Sequence, residues 1–123
     1  MLAKNSIQEI NELAACIKKY IDSNYSNCNL SLEFISNNLS YTPKYVSTLF
    51  KKTFKITISD YLTTLRIQHA CTLIENGFTS ISNIAALCGY SDAQYFSKLF
   101  KKRTGKTPKE YIKEPFTYQN FMR

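Results

Sequence analysis

Apolar residues first recur in steps of three and four behind a short polar start. Ile7, Ile10, Leu13, Ala14, Ile17 and Ile21 form one stripe, the signature of an amphipathic helix with one face toward a core. Ser6 and Glu9 stand as an S-x-x-E capping box at its start, and the stripe ends near Asn24 or Tyr25. After the loop SNCNL, the stretch SLEFISNNL from Ser31 predicts a short helix with Leu32, Ile35 and Leu39 on one face. The dipeptide SY turns the chain. Thr42-Pro43 restarts it as N-cap and first helical residue, where proline's missing N–H is harmless. That helix is expected to reach about Phe54.

Thr57 and Asp60 form a further box. They open a long helix from about Ile58 to Asn76, stopped by Gly77, with Leu62, Leu65, Ile67, Ala70, Leu73 and Ile74 on its apolar side. SISNIAALC repeats the short helix, and GYSD repeats the turn. A helix from about Ala93 to Arg103 follows. Thr107-Pro108-Lys109-Glu110 caps a last short helix, which Pro115 breaks, leaving FTYQNFMR as a loosely packed end.

The pattern speaks twice. YVSTLFKK at Tyr45–Lys52 returns as YFSKLFKK at Tyr95–Lys102, and Thr57 and Tyr61 return as Thr107 and Tyr111. Two copies are too few for a solenoid. Each copy is a short helix, a tight turn, a second helix and a capped restart, which is the helix-turn-helix unit. The expected fold is all-α, with about seven helices and two helix-turn-helix subdomains joined by a long linker helix. The expected divisions are residues 1–56, the linker 57–77, residues 78–114 and a tail 115–123.

Composition sharpens this reading. Three glycines and three prolines in 123 residues suit an all-helical chain. The formal charge of +7 points to an anionic partner, and it is concentrated. Lys44, Lys51, Lys52 and Lys55 lie in one window without an acid. Lys98, Lys101, Lys102, Arg103, Lys106 and Lys109 lie in another. Between them, Ile56 to Ser97 carries only Arg66 against Asp60, Glu75 and Asp92. Each basic block coincides with a copy of the repeat. The four cysteines have no C-x-x-C spacing, and His69 stands alone, so no metal site and no cofactor are expected. Each cysteine lies in or beside an apolar segment, as suits a reduced, buried residue. No signal peptide or membrane-spanning stretch is legible.

On helical wheels, Val46, Leu49 and Phe50 share a face, as do Phe96, Leu99 and Phe100. The opposite faces show Lys44, Ser47, Thr48 and Lys51, then Gln94, Ser97, Lys98 and Lys101. Gln pairs bidentately with adenine, Lys donates to guanine, and Ser or Thr serves either base. These are stripes suited to the DNA major groove. Lys51, Lys52, Lys101, Lys102 and Arg103 would reach phosphates from the negative ends of their helices, and Tyr45 and Tyr95 complete the expected phosphate-contacting set.

The second half reads I-x-x-I-A, G-[FY]-S-D, Y-F-x-x-x-F-K and G-x-T-P-x-x-Y through Ile81, Ile84, Ala85, Gly89, Tyr90, Asp92, Tyr95, Phe96, Phe100, Lys101, Gly105, Thr107, Pro108 and Tyr111. It resembles the AraC/XylS family of bacterial transcription regulators over about Leu30 to Lys113, with Arg66 and Ala70 matching the family's connecting helix. The resemblance implies a domain that binds double-stranded promoter DNA as activator or repressor. It places the base-reading positions on Lys44, Ser47, Thr48, Gln94, Ser97 and Lys98. A cytoplasmic, nucleoid-associated protein is expected, with RNA polymerase as a further partner. Many members of the family carry an N-terminal sensor or dimerisation domain, so this chain is expected to be either a single-domain member or the C-terminal part of a larger regulator whose N-terminal domain is absent from this chain. Lys55 stands where the family keeps the glycine found at Gly105, so the first unit is expected to end differently or under strain. Asn37, Asn38 and Ser40, where a tighter turn is common, mark it as the less stable or less sequence-specific half.

An enzyme is not expected, since there is one histidine, no pocket-like pair of acids and no phosphate loop. The competing reading is a non-catalytic module that binds nucleic acid generally or assembles with proteins through its helices.

Overall fold

The computed structural model describes residues 7–114. The expected tail and the Ser6 half of the first capping box lie outside them. Among the described residues there are seven helices and no strands: α1 (Ile7–Asn24), α2 (Leu32–Leu39), α3 (Pro43–Phe54), α4 (Ile58–Glu75), α5 (Ile81–Leu87), α6 (Ala93–Thr104) and α7 (Pro108–Lys113). The caps are those legible in the sequence. Thr42 accepts from the Tyr45 N–H at 3.2 Å, Thr57 from the Asp60 N–H at 3.1 Å, and Thr107 and Glu110 close a reciprocal capping box. Such caps satisfy N–H groups that have no partner inside the helix.

The chain divides into two compact units. Unit 1 holds the residues up to Tyr25 together with Asn29–Thr63, and unit 2 holds Ser26–Cys28 with the residues from Thr64 onward. The core of unit 1 is Ala14, Ile17, Ile21, Ile35, Val46, Phe50 and Ile58. That of unit 2 is Ile67, Ala70, Ile74, Ile84, Ala85, Phe96, Phe100 and Tyr111.

The repeat is deeper than its sequence signature. α1 buries Ala14, Ile17 and Ile21 in unit 1, and α4 buries Ile67, Ala70 and Ile74 in unit 2, with the same steps of three and then four. The residue after each stripe is a carboxylate, Asp22 or Glu75. The Tyr61 hydroxyl donates to Asp22, and that of its repeat partner Tyr111 donates to Glu75 at 3.2 Å. Lys18, one turn before Asp22, lies 5.4 Å from the Tyr61 ring centre. Cys71, one turn before Glu75, stands beside the Tyr111 hydroxyl. α4 therefore closes unit 1 with its first turn and opens unit 2 with the rest, so its apolar residues follow no single stripe. The linker is a shared part of both units.

Several expectations need correction. Ile7, placed on the buried stripe, is 78% exposed, because the packed part of α1 begins two turns later at Ala14. None of the four cysteines forms a disulfide, but only Cys88 is buried, while Cys16 and Cys28 are exposed. Cys16 lies about 100° around the helix from Ile17 and so off the stripe. Burial pushes the Cys88 thiol up to about 12, so it packs rather than ionises.

The turns differ between units by one residue. Ser40 takes a left-handed conformation at φ 61, directly before Tyr41 and the cap Thr42. In unit 2 that conformation falls on Gly89, and Ser91 is the extra residue before the cap Asp92. Matched by the turn, Ser36 corresponds to Ala85. Ser36 is fully buried, and its Oγ has no partner among the described residues. A buried unpaired hydroxyl is unfavourable, and Ala is the better helix former. Ser36→Ala is expected to raise stability by about 1 kcal/mol, read as a higher urea midpoint; a fall would mean the hydroxyl is satisfied.

The unusual Lys55 ends α3 in the same way as Gly105 ends α6. Lys55 has φ 66 and Gly105 φ 88, and their N–H groups donate to Lys51 and Lys101. A Cβ at Gly105 would meet nothing within 4 Å, so the demand is on the backbone alone. A side chain in this region is strained by roughly 1 kcal/mol. Lys55→Gly should recover about that amount in thermal denaturation, and a destabilised variant would contradict it.

Candidate nucleic-acid interface

α3 and α6 are built alike. Each turns one face into its unit, with Val46, Leu49 and Phe50 buried in α3 and Phe96 and Phe100 in α6; Leu99 is half-buried against the same core. On the other face Lys44, Thr48, Gln94 and Lys98 are exposed, and Ser47 and Ser97 are half-buried. Each unit thus gathers its three expected base-reading residues on one helix face.

The charge pattern along the two helices is also shared. α1, α2, α4 and α7 each carry an acid in the first turn: Glu9, Glu33, Asp60 and Glu110. α3 and α6 carry none there and have Lys51, Lys52, Lys101, Lys102 and Arg103 in their last turns. Lys44 even sits in the first turn of α3, where the helix dipole disfavours a cation by a few tenths of a kcal/mol to about 1 kcal/mol. At the start of α6, Asp92 is tied down by the Gln94 and Tyr95 N–H groups, at 2.9 and 3.2 Å.

The expected phosphate-contacting cations Lys51, Lys52, Lys101, Lys102 and Arg103 are all exposed. Arg103 is nevertheless engaged, for its Nη1 donates to Thr64 Oγ1 at 3.0 Å. Tyr45 and Tyr95 are 37% and 57% exposed. The Tyr45 ring lies 5.4 Å from Tyr41, and the Tyr95 ring 6.1 Å from Tyr90. Phe50, Phe96 and Phe100 belong to the cores, so these phenylalanines offer no stacking platform for unpaired bases.

Sequence reasoning missed three features. The Ser97 hydroxyl donates to the Ala93 carbonyl at 2.9 Å, a serine back-bond whose four-residue spacing could have signalled it. Beside the α3 stripe, Thr48 and Lys52 border a groove walled by Ile7 and Ile10; a stripe pattern cannot show where a helix stops packing. Arg66 is only 8% exposed. It donates to the Asn27 carbonyl at 2.9 Å and lies 5.1 Å from the Tyr90 ring centre, so it fixes the 26–28 loop. Cation–π contact and a charge-assisted hydrogen bond compensate its burial.

No helix among the described residues is long and apolar enough to cross a membrane, and no cluster of potential ligands could hold a metal ion there.

Residues 35–114 match the family described as a helix-turn-helix domain. The uncharacterised HTH-type transcriptional regulator YijO of Escherichia coli (strain K12) is 35% identical over 102 residues, covering 83% of this chain and 36% of that protein. The HTH-type transcriptional activator RhaR of Mannheimia succiniciproducens is 47% identical over 66 residues, covering 54% of this chain and 24% of its own length. Among solved structures, the C-terminal domain of the two-component response regulator yesN from Fusobacterium nucleatum superposes with a TM-score of 0.79 at 32% identity, covering 82% of this chain and 98% of that one. The chain therefore spans about a third or less of the length of these two full regulators. With the motif from Ile81 to Tyr111, the paired helix-turn-helix units and these likenesses, the chain belongs to the AraC-type helix-turn-helix family of transcriptional regulators.

Proposed function

We propose that this chain is the DNA-reading part of a bacterial transcription regulator, with α3 and α6 entering successive major grooves of promoter DNA. The observation that carries this is the duplicated outward stripe, Lys44-Ser47-Thr48 and Gln94-Ser97-Lys98, in which only the two serines are half-buried. Each stripe sits on the second helix of a helix-turn-helix unit and is followed by a basic last turn. Lys51, Lys52, Tyr45, Tyr95, Lys101, Lys102 and Arg103 hold the phosphates, and the six stripe residues read bases.

The work is binding without catalysis, in the cytoplasm and on the nucleoid. Activation is the proposed sign of regulation, in keeping with the RhaR relative. RNA polymerase and an N-terminal sensor or dimerisation domain are the proposed protein partners, the latter in keeping with the greater length of the relatives.

A mobility-shift comparison of duplex DNA, duplex RNA and single strands at moderate salt tests the reading; equal binding to all three would overturn it. Neutralising Lys51, Lys52, Lys101 or Lys102 singly should weaken binding to every duplex alike. The slope of log affinity against log salt should flatten by about one unit. A change in base preference with an unaltered slope would contradict the phosphate role.

A further inference from the structure

We infer that Ser97 makes unit 2 discriminate amino bases from keto bases at one position of its half-site. This rests on the proposal that α6 reads the major groove and specifies what one residue there reads. A free serine hydroxyl can donate or accept, so it carries little base information. Ser97 is not free. Its only proton points to the Ala93 carbonyl at 2.9 Å, which leaves lone pairs for any other partner.

Its neighbours allow the contact. Gln94 lies one turn before it and Lys98 directly after it, both exposed, so Ser97 sits inside the reading stripe. Its small, half-buried side chain lets the helix backbone approach the groove floor closely. The first turn of α6 has no acid, its last turn is basic, and the one carboxylate at its start, Asp92, is engaged by the Gln94 and Tyr95 N–H groups.

The major groove offers hydrogen-bond donors only on the amino groups of adenine N6 and cytosine N4. Guanine O6 and N7 and thymine O4 are acceptors. An acceptor-only hydroxyl therefore favours adenine or cytosine and is repelled by guanine and thymine. Every base pair holds one amino base, so Ser97 reads which strand carries it. Gln94 and Lys98 retain their donors and read their own positions beside it.

The test starts with binding selection from randomised duplexes, using the wild-type chain and Ser97→Ala. Circular dichroism and melting should first show that the variant folds as the wild type does. The expected result is one position where the wild type accepts adenine and cytosine on one strand and refuses guanine and thymine there, a choice that Ser97→Ala relaxes by about tenfold. The second arm removes the single amino group from the DNA, replacing adenine there with purine deoxyriboside, or cytosine with its 4-deamino analogue. Wild-type affinity should fall by about the same factor, and Ser97→Ala affinity should be unchanged. A position that instead pools adenine with guanine, or adenine with thymine, on one strand would overturn the inference, and so would a selected site that Ser97→Ala leaves unaltered. A wild-type chain that selects no sequence at all would instead remove the underlying reading of α6, which keeps the two failures apart.

Discussion

Truncating Phe100 to alanine is expected to destabilise unit 2 by about 3–5 kcal/mol. The side chain is fully buried. Its ring lies 5.7 Å from Phe96 and meets Tyr111 edge-on at 5.4 Å. The void would therefore open between α6 and α7, beside the Tyr111–Glu75 bond. A small domain holds about 5–15 kcal/mol in all, so much of the unit's stability goes with one ring. Far-UV circular dichroism should show an early transition for part of the helix signal, and specific DNA binding should be lost with it. Phe50→Ala should do the same in unit 1, where the ring lies 4.8 Å from Phe54 and 5.6 Å from Tyr61. A loss under about 1 kcal/mol in either variant would contradict the core position of that ring.

Why these two rings were legible in the sequence is simple. Val46, Leu49 and Phe50 recur as Phe96, Leu99 and Phe100 with helical spacing, and the same spacing fixes the opposite face. Both the core side and the candidate reading side of α3 and α6 follow from one period. The caps at Thr42, Thr57 and Thr107 are local, so they were legible too.

What the sequence hid depends on contacts between distant segments. α1 and α4 play the same role in their units, yet they share only a spacing of buried residues and a carboxylate after it. Identity matching passes over that. Asp22 and Glu75 acquire their role only when Tyr61 and Tyr111 arrive from later in the chain. Arg66 reads as an ordinary helix cation until the Asn27 carbonyl and the Tyr90 ring meet it. Arg103 reads as a free phosphate ligand until Thr64 accepts from it. At Lys55 the sequence raised the right question, but only the backbone dihedral shows that the left-handed turn is kept and the strain accepted.

The shared helix sets the other large expectation. Inserting two alanines between Thr63 and Thr64, where the two compact units divide within α4, should turn α6 by about 200° relative to α3, since each helical residue adds about 100°. The insertion point leaves Tyr61 with Asp22 in unit 1 and Arg103 with Thr64 in unit 2. Alanine is the best helix former, so α4 itself should persist. If α3 and α6 read one continuous site, specific affinity should collapse to the level of random DNA, a loss of about a thousandfold or more. Non-specific binding and its salt slope should survive, because the cations proposed to hold phosphates are all still present. One side effect needs its own control. The insertion also pulls at the Arg66–Asn27 contact, which ties the loop between α1 and α2 to unit 2. Arg66→Met releases that loop without turning the helix and should leave far more of the specific affinity in place. Full affinity of the insertion variant for the native site would mean that the two units bind independently, or that one of them alone reads the DNA.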